Sequence, residues 1–429
     1  MKILVIGSGG REHALAWKLA SSERVAGVYV APGNAGTALE PGVTNIDIDP
    51  MDFDGLIAFV QRESVDLTVV GPEDPLVAGI VDRFQALGLK CFGPSRLAAQ
   101  LEGSKSFTKA FLEKYGIPTA GYRVFEAIEP ALEYVSELTP PIVIKADGLA
   151  AGKGVVIAGS REEAGDTIRD MLSGNLLGGA GSRIVIEEFL EGEEASFIVI
   201  ADGERYLPFA SSQDHKAAYD GDRGPNTGGM GAYSPAPVVT DEVHQLILER
   251  VIEPTISGLR SEGFPYTGFL YAGLMIDTAG NPRVIEFNCR FGDPETQPIL
   301  SRMTSDLPTL LLDALDGRLD QSELTFDERV ALTVVMASGG YPGAYEKGKL
   351  INGLDLVAGA RVFHAGTALS DAGVITAGGR VLGVTALGDS VAAAQSLVYQ
   401  AIKQISFEGV EYRSDIGYRA IARERASAS

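Results

Sequence analysis

Glu286, Asn288 and Arg290 occupy alternate positions of the apolar stretch VIEFNCR, residues 284–290. Residues two apart share one face of a strand. A carboxylate, an amide and a guanidinium are therefore expected side by side, with Val284 ahead of them on that face and Ile285, Phe287 and Cys289 turned into a core. An antiparallel edge strand with one wet face gives the same alternation. The continuation FGDPETQ (291–297) points past that reading, because a Gly-Asp-Pro turn adds Asp293, Glu295 and Gln297. Hard oxygen donors beside an arginine are what a divalent cation carrying phosphate groups requires.

Other stretches could supply a nucleotide. IKADGLAAGKGVVIA (144–158) sets Lys145 at a strand end and Lys153 between Gly152 and Gly154. It is not a Walker A loop, since Gly154 follows the lysine. A glycine loop between two strands still presents N–H groups to phosphate oxygens while a lysine neutralises them; a plain hairpin is the alternative. VIEEFLEGEEASF (185–197) reads as strand, connector, strand, and would set Glu187, Leu190 and Glu194 around an adenine and a ribose, although acids beside a turn are otherwise ordinary surface. The segment 211–237 is long, aperiodic and rich in glycine, which marks a functional loop or a disordered one. Its Asp214, His215, Lys216, Asn226 and Thr227 suit a small zwitterion and a phosphosugar, and TGGMGAYSP favours an ordered loop.

The first loop, GSGGREH (7–13), invites a dinucleotide reading and fails it. Glu12 stands where the third glycine belongs, and the second strand ends in Pro-Gly-Asn with no acid for a ribose hydroxyl. Gly9 and Gly10 could instead offer N–H groups at a helix start to a phosphate, with Arg11 adding charge; a tight turn is the competing reading.

These residues need elements to position them. KILVIG (2–7), GVYVAPGN, DLTVVGPEDPL and GLKCFGPS are short apolar strands ending in Gly or Pro, separated by helical stretches. That order implies a doubly wound parallel sheet, with ligands at the strands' carboxyl ends. Those ends are Gly7–Glu12, Pro32–Asn34, Gly71–Asp74 and Gly93–Ser95. SKSFTKAFLEKYGIP reads as a helix stopped by Gly116 and Pro118, and two strand pairs follow it. RVALTVVMASGGYP and the helical SVAAAQSLVYQAIKQI make a small third α+β unit.

With 429 residues and a 45% hydrophobic fraction, about three domains with substantial cores are expected. A net charge of −21 argues against general nucleic-acid binding. Two distant cysteines, Cys91 and Cys289, make neither a disulfide framework nor a zinc pattern and suit a reducing cytoplasm. No apolar run is long enough for a membrane span, and MKILVIGSGG lacks a signal-peptide cleavage site.

RFGDPETQ, GSGGREHA, GPEDPL, KADGLAAGKGV, EEFLEGEEAS, SSQDHK and NTGGMGAYSP, in their order, resemble the ATP-grasp ligases, and among them the phosphoribosylamine–glycine ligase family of purine biosynthesis. The resemblance covers essentially the whole chain. It implies a multidomain α/β and α+β fold: a Rossmann-like sheet over 1–103, an ATP-grasp region over 104–326 with a mobile lid near 121–192, and a C-terminal domain over 327–429. It implies ATP, Mg2+ or Mn2+, and ligation of glycine to 5-phosphoribosylamine through glycyl phosphate. Glu286 and Asn288 would hold the metal, Lys105 and Lys145 the phosphates under a loop of Gly152, Lys153 and Gly154, and Glu187, Leu190 and Glu194 the adenosine. Arg290, Lys145 and Asp293 would serve catalysis. Gly9, Gly10, Arg11, Gly33, Asn34, Glu73, Asp74, Asp214, Lys216, Thr227, Gly228, Gly229, Met230 and Arg290 would meet the other substrates. A monomer or weak homodimer is expected.

Many ATP-grasp enzymes take a further metal carboxylate from the preceding strand. Here that strand, GFLYAGLMID, is apolar until Asp277, so phosphates and water are expected to complete the metal shell. Other readings are a relative ligating a different acid or amine, and a nucleotide sensor that has lost catalysis. Glu286→Ala is expected to abolish ATP-dependent turnover; an ADP-release assay showing normal activity in that variant would remove the metal assignment.

Overall fold

The computed structural model describes residues 1–149, 154–174 and 182–427. Five strands open the chain: β1 (Lys2–Gly7), β2 (Gly27–Pro32), β3 (Val43–Asn45), β4 (Leu67–Val70) and β5 (Cys91–Phe92). They form one parallel sheet in the order β3-β2-β1-β4-β5. β1 and β4 are buried almost throughout, as continuous apolar runs covered on both faces must be. Strand order reverses between them, which opens a crevice at their carboxyl ends. Arg11 follows β1 and Glu73 follows β4, and their side chains approach to 4.0 Å there.

A second, antiparallel sheet is built from β6 (Tyr122–Phe125), β7 (Ile142–Ala146), β8 (Val155–Ala158) and β9 (Ile184–Glu188), in the order β6-β9-β7-β8. Ile142, Ile144, Ala158, Ile184 and Ile186 face the helices Ile128–Glu137 and Arg161–Leu172 and make a separate small core. Strand alternation leaves Lys145 and Glu187 on the opposite face.

The chain continues through β10 (Glu193–Asp202), β11 (Tyr206–Pro208), β12 (Gln213–Asp214), β13 (Ala217–Tyr219), β14 (Arg223–Asn226), β15 (Gly231–Ser234), β16 (Thr267–Ile276) and β17 (Pro282–Asn288). β11-β10-β16-β17 is an antiparallel sheet whose apolar side chains merge with those of the N-terminal sheet. β18 (Val330–Ser338), β19 (Arg361–His364), β20 (Thr367–Ser370), β21 (Gly373–Thr376), β22 (Arg380–Gly388) and β23 (Val410–Glu411) follow. The last large sheet runs β12-β15-β18-β22-β19, with β23 also on β18. It therefore draws two strands from the 211–237 segment. Local patterning misses this, because a four-residue strand such as GAYS satisfies its backbone only through the distant β18.

One expectation needs correcting. In the β16–β17 ladder Glu286 pairs with Gly273 while Val284 pairs with Leu274, leaving Ile285 as an extra residue. This bulge breaks the strict alternation. Val284 lies fully in the core and Ile285 faces the cavity described below, the reverse of the simple strand reading. Phe287 and Cys289 are core residues as expected.

The sheets are locked by aromatic packing. Phe269 of β16 meets Phe92 of β5 at 4.8 Å between ring centroids, Phe209 at 5.7 Å and Phe291 at 4.8 Å. Phe269→Ala is expected to destabilise the protein by about 3–5 kcal/mol, in the range for truncating a buried aromatic. A urea midpoint left unchanged in that variant would show that this seam does not hold the two sheets together.

Candidate active site

A cavity of about 400 Å3 lies where the β1 and β4 carboxyl ends, the inner face of the second sheet, β17 and the 227–228 loop converge. β17 projects Glu286 and Asn288 into it, and Arg290 follows. Arg290 is held by Glu73, 3.1 Å from Nε, and by Glu102, 3.0 Å from Nη2. The same Glu102 accepts a hydrogen bond from Asn288 Nδ2 at 3.0 Å and from the Cys289 backbone N–H at 2.7 Å. Asn288 thus keeps its carbonyl oxygen for a ligand. Burial raises the Glu73 pKa, but Arg290 and Arg11 outweigh that and hold it down at about 2.

Opposite stand the lysines. The helix Lys105–Lys114 starts at Ser104, whose hydroxyl accepts from the Phe107 N–H, and its geometry puts Lys105 and Lys109 on one face. Lys105 Nζ donates to the Gly148 carbonyl at 2.9 Å. Lys145 Nζ donates to the carbonyl of Ile285, the bulged residue, at 3.0 Å. Lys109 and Lys145 each lie 3.0 Å from the same oxygen of Glu187, Oε2. Its other oxygen, Oε1, is buried without a hydrogen-bond partner among the described residues. Burial pulls the Lys109 ammonium down to about 8 against the stabilising charge of Glu187.

At the far end Lys216 Nζ lies 2.8 Å from Glu194 and 3.7 Å from Glu286. Burial disfavours its charge, yet Glu194, Glu286 and Asp214 keep its pKa well above the usual lysine value. Glu286 is held below its ordinary value because Lys216, Lys145 and Lys105 overcome the burial. Asp214 behaves oppositely: burial, reinforced by Glu295, Glu194 and Glu286, pushes it up to about 8 despite Lys216. Asp293 is kept low, against burial, by Arg380 and Arg11.

Several expected residues are elsewhere. The Gly9 N–H is taken by Glu12 Oε2 at 2.6 Å, and Glu12 Oε1 pairs with Arg11 Nε at 2.6 Å. A Cβ on Gly7 or Gly71 would overlap Glu12. These glycines therefore make room for the chain's own carboxylate, which fills the helix start that was expected to receive a phosphate. Gly10 packs on Gln297, and Gly33 turns the chain at φ +74° against Asn45. Asn34 caps the helix Ala35–Leu39 and donates to the Ser8 and His364 carbonyls at 2.8 Å each. Asp74 is exposed on the helix Glu73–Ala78. Gly229 backs onto Pro294, and Met230 belongs to the core of the last sheet. Leu190 is buried, and Glu194 is drawn to Lys216; neither lines the cavity. Gly152 and Lys153 lie outside the described residues, while the neighbouring Gly154 does line it.

Among the wall residues that sequence reasoning missed are Glu102, Lys109, Tyr341 and Arg380. Lys109 was readable as the residue four beyond Lys105 on an expected helix. Glu102, Tyr341 and Arg380 reach the cavity through tertiary packing, with no local signal. Among the described residues no three His, Cys, Asp or Glu side chains gather as a metal-binding group.

Three family profiles tile the chain: the N domain of phosphoribosylglycinamide synthetase over residues 1–102, its ATP-grasp (A) domain over 103–296 and its C domain over 331–419. The chain belongs to the phosphoribosylglycinamide synthetase family. It is 62% identical over 427 residues to the phosphoribosylamine–glycine ligase of Vibrio parahaemolyticus, covering 99% of this chain and 100% of that one. It is 63% identical over 428 residues to the Salmonella typhimurium enzyme, with the same coverage of 99% and 100%. The crystal structure of phosphoribosylamine–glycine ligase from Thermotoga maritima superposes with a TM-score of 0.85 at 35% identity, over 97% of this chain and 100% of that one. The biotin carboxylase domain of Hydrogenobacter thermophilus 2-oxoglutarate carboxylase, solved with MgADP and bicarbonate, shares the fold at a TM-score of 0.73 and 16% identity, over 96% of this chain and 91% of that one.

In this member of the phosphoribosylglycinamide synthetase family, Glu102 orients Asn288 and Arg290 together. Glu102→Ala is expected to lower kcat/KM by about 10–100-fold, because Asn288 and Arg290 lose the carboxylate that positions them. An unchanged kcat/KM would mean that Asn288 and Arg290 hold their positions without it.

Proposed function

We propose that this chain joins glycine to 5-phosphoribosylamine at the expense of ATP, releasing glycinamide ribonucleotide, ADP and phosphate. The observation that carries the reading is one cavity in which Lys105 and Lys145 face Glu286 and Asn288, in a chain at least 60% identical along its length to phosphoribosylamine–glycine ligases.

A carboxylate is a poor acyl donor because an oxide is a poor leaving group. Attack of a glycine carboxylate oxygen on the γ-phosphorus breaks the bond to ADP and gives glycyl phosphate. The amine nitrogen then attacks the carbonyl carbon, loses a proton, and phosphate departs. Positioning and charge neutralisation are the protein's share of such a step. Lys105 and Lys145 neutralise the polyphosphate beside Gly154, which lines the same cavity. Glu187 takes the adenine, and its unpartnered Oε1 suits the exocyclic amino group. Arg290 stabilises charge on the transferred phosphoryl group, and Asp293 braces that side of the site. Arg11, Glu73, Asp214, Lys216, Thr227 and Gly228 line the part left for glycine and the amine.

Glu286 and the free carbonyl oxygen of Asn288 are hard donors that fit Mg2+ or Mn2+. Such an ion would neutralise polyphosphate charge when bound. We further place the domain boundaries near residues 103 and 326, with a lid over about 121–192 that the separate small core supports. The two buried free cysteines support a cytoplasmic location, and no helix among the described residues is long and apolar enough to cross a membrane. A monomer or weak homodimer is our reading of assembly, checked by sedimentation over a concentration series.

Purified protein supplied with ATP, glycine and freshly formed phosphoribosylamine is expected to release ADP and the amide product together. ADP at background level would reject the assignment. Chelation is expected to stop turnover and added Mg2+ or Mn2+ to restore it; turnover persisting in excess chelator would reject the metal site.

A further inference from the structure

Arg380 opens β22 in the last sheet, far in sequence from every motif of the site, yet its side chain lines the cavity. Nη1 donates to the Gly228 carbonyl at 2.6 Å, to the Asp293 carbonyl at 2.7 Å and, more weakly, to the Gly229 carbonyl at 3.4 Å. Nη2 lies 3.3 Å from Asp293 Oδ2. From the same sheet region the Tyr341 hydroxyl accepts the Gly228 N–H at 3.1 Å. Residue 228 is therefore gripped at both its N–H and its C=O, and the same guanidinium ties that loop to the Gly-Asp-Pro turn. A planar fork with fixed donor directions fixes relative position in a way that a lysine ammonium does not.

The first two glycines of TGGMG, Gly228 and Gly229, fit the crowding around this contact. A Cβ on Gly228 would stand 3.0 Å from the guanidinium carbon of Arg380. One on Gly229, at φ +110°, would stand 2.5 Å from Pro294 Cδ. Asp293 has little capacity left for substrate, because its Oδ1 accepts from Gln297 Nε2 at 2.9 Å and its Oδ2 faces Arg380. The nucleotide side of the cavity, with Lys105, Lys145 and Glu187, is built on other elements, and among the described residues these three make no hydrogen bond or ion pair with Arg380.

We propose that Arg380 is a positioning residue through which the C-terminal region shapes the glycine and amine half of the cavity while leaving the ATP half unaffected. The inference rests on the ligase reading above. It predicts a split between substrates that a merely structural arginine would not produce.

The test compares the unmodified chain with Arg380→Ala and Gly228→Ala, the second displacing the guanidinium without removing it. Both variants are expected to lose about 10–100-fold in kcat/KM for glycine and for the amine, as displacement of a positioned reactant does, with the Kd of an unhydrolysed ATP analogue held within about twofold. Added guanidinium ion is expected to restore part of the activity of Arg380→Ala and none in Gly228→Ala. Unchanged glycine and amine kinetics in Arg380→Ala would overturn the inference. So would analogue affinity falling in step with them, which marks general loss of structure. Absence of ADP release by the unmodified chain would reject the ligase reading and this inference with it, whereas release with unaltered variants rejects the inference alone.

Discussion

Arg290 sits between Glu73 and Glu102, and the cavity depends on that pairing. A buried guanidinium without partners is strongly destabilising, as is either carboxylate left alone. The three groups come from the end of β17, the carboxyl end of β4 and the short helix Gln100–Gly103. Satisfying one another's charge therefore joins three separate pieces of chain at a single point. Glu102 then has capacity to spare for Asn288 and for the Cys289 N–H, so the interaction that closes the cavity also aims its oxygen donors.

The same economy appears in the bulge at Ile285. The extra residue brings a backbone carbonyl within hydrogen-bond distance of Lys145, and it lets an apolar side chain face the cavity beside Glu286. Bulges next to active sites commonly re-aim side chains in this way. Lys145 is consequently held by a carbonyl of one sheet and a carboxylate of its own sheet, a geometry suited to neutralising an incoming polyanion without long-range rearrangement.

Fold and function separate clearly at the N-terminal sheet. Its topology is that of a nucleotide-binding domain, but Glu12 occupies the space at the helix start and satisfies the Gly9 N–H. The likeness to a biotin carboxylase domain at 16% identity extends to architecture; what a site does is decided by side chains placed on that architecture. Arg380 extends the point, since the C-terminal sheet contributes to the wall of a cavity whose motifs all lie earlier in the chain.

Much was legible from local pattern. Parallel strands with glycine-terminated ends, the Lys145 hairpin, the helix bearing Lys105 and the core positions of Phe287 and Cys289 all follow from periodicity and turn chemistry, which act over a few residues. The juxtaposition of Glu286 and Asn288 is of the same kind. The structure decided what depends on distant partners: that Ile285 is bulged, that β12 and β15 join β18, that Glu12 closes its own loop, and that Glu102, Tyr341 and Arg380 reach the cavity. Asn34 and Met230 looked available in sequence because polarity or proximity to glycine does not say which groups packing will consume, and Asp74 looked directed at the site because its position does not say that its side chain faces solvent. Short-range order is written in neighbouring residues, whereas register, burial and the pairing of charges are settled only when remote segments compete for the same hydrogen bonds and the same space.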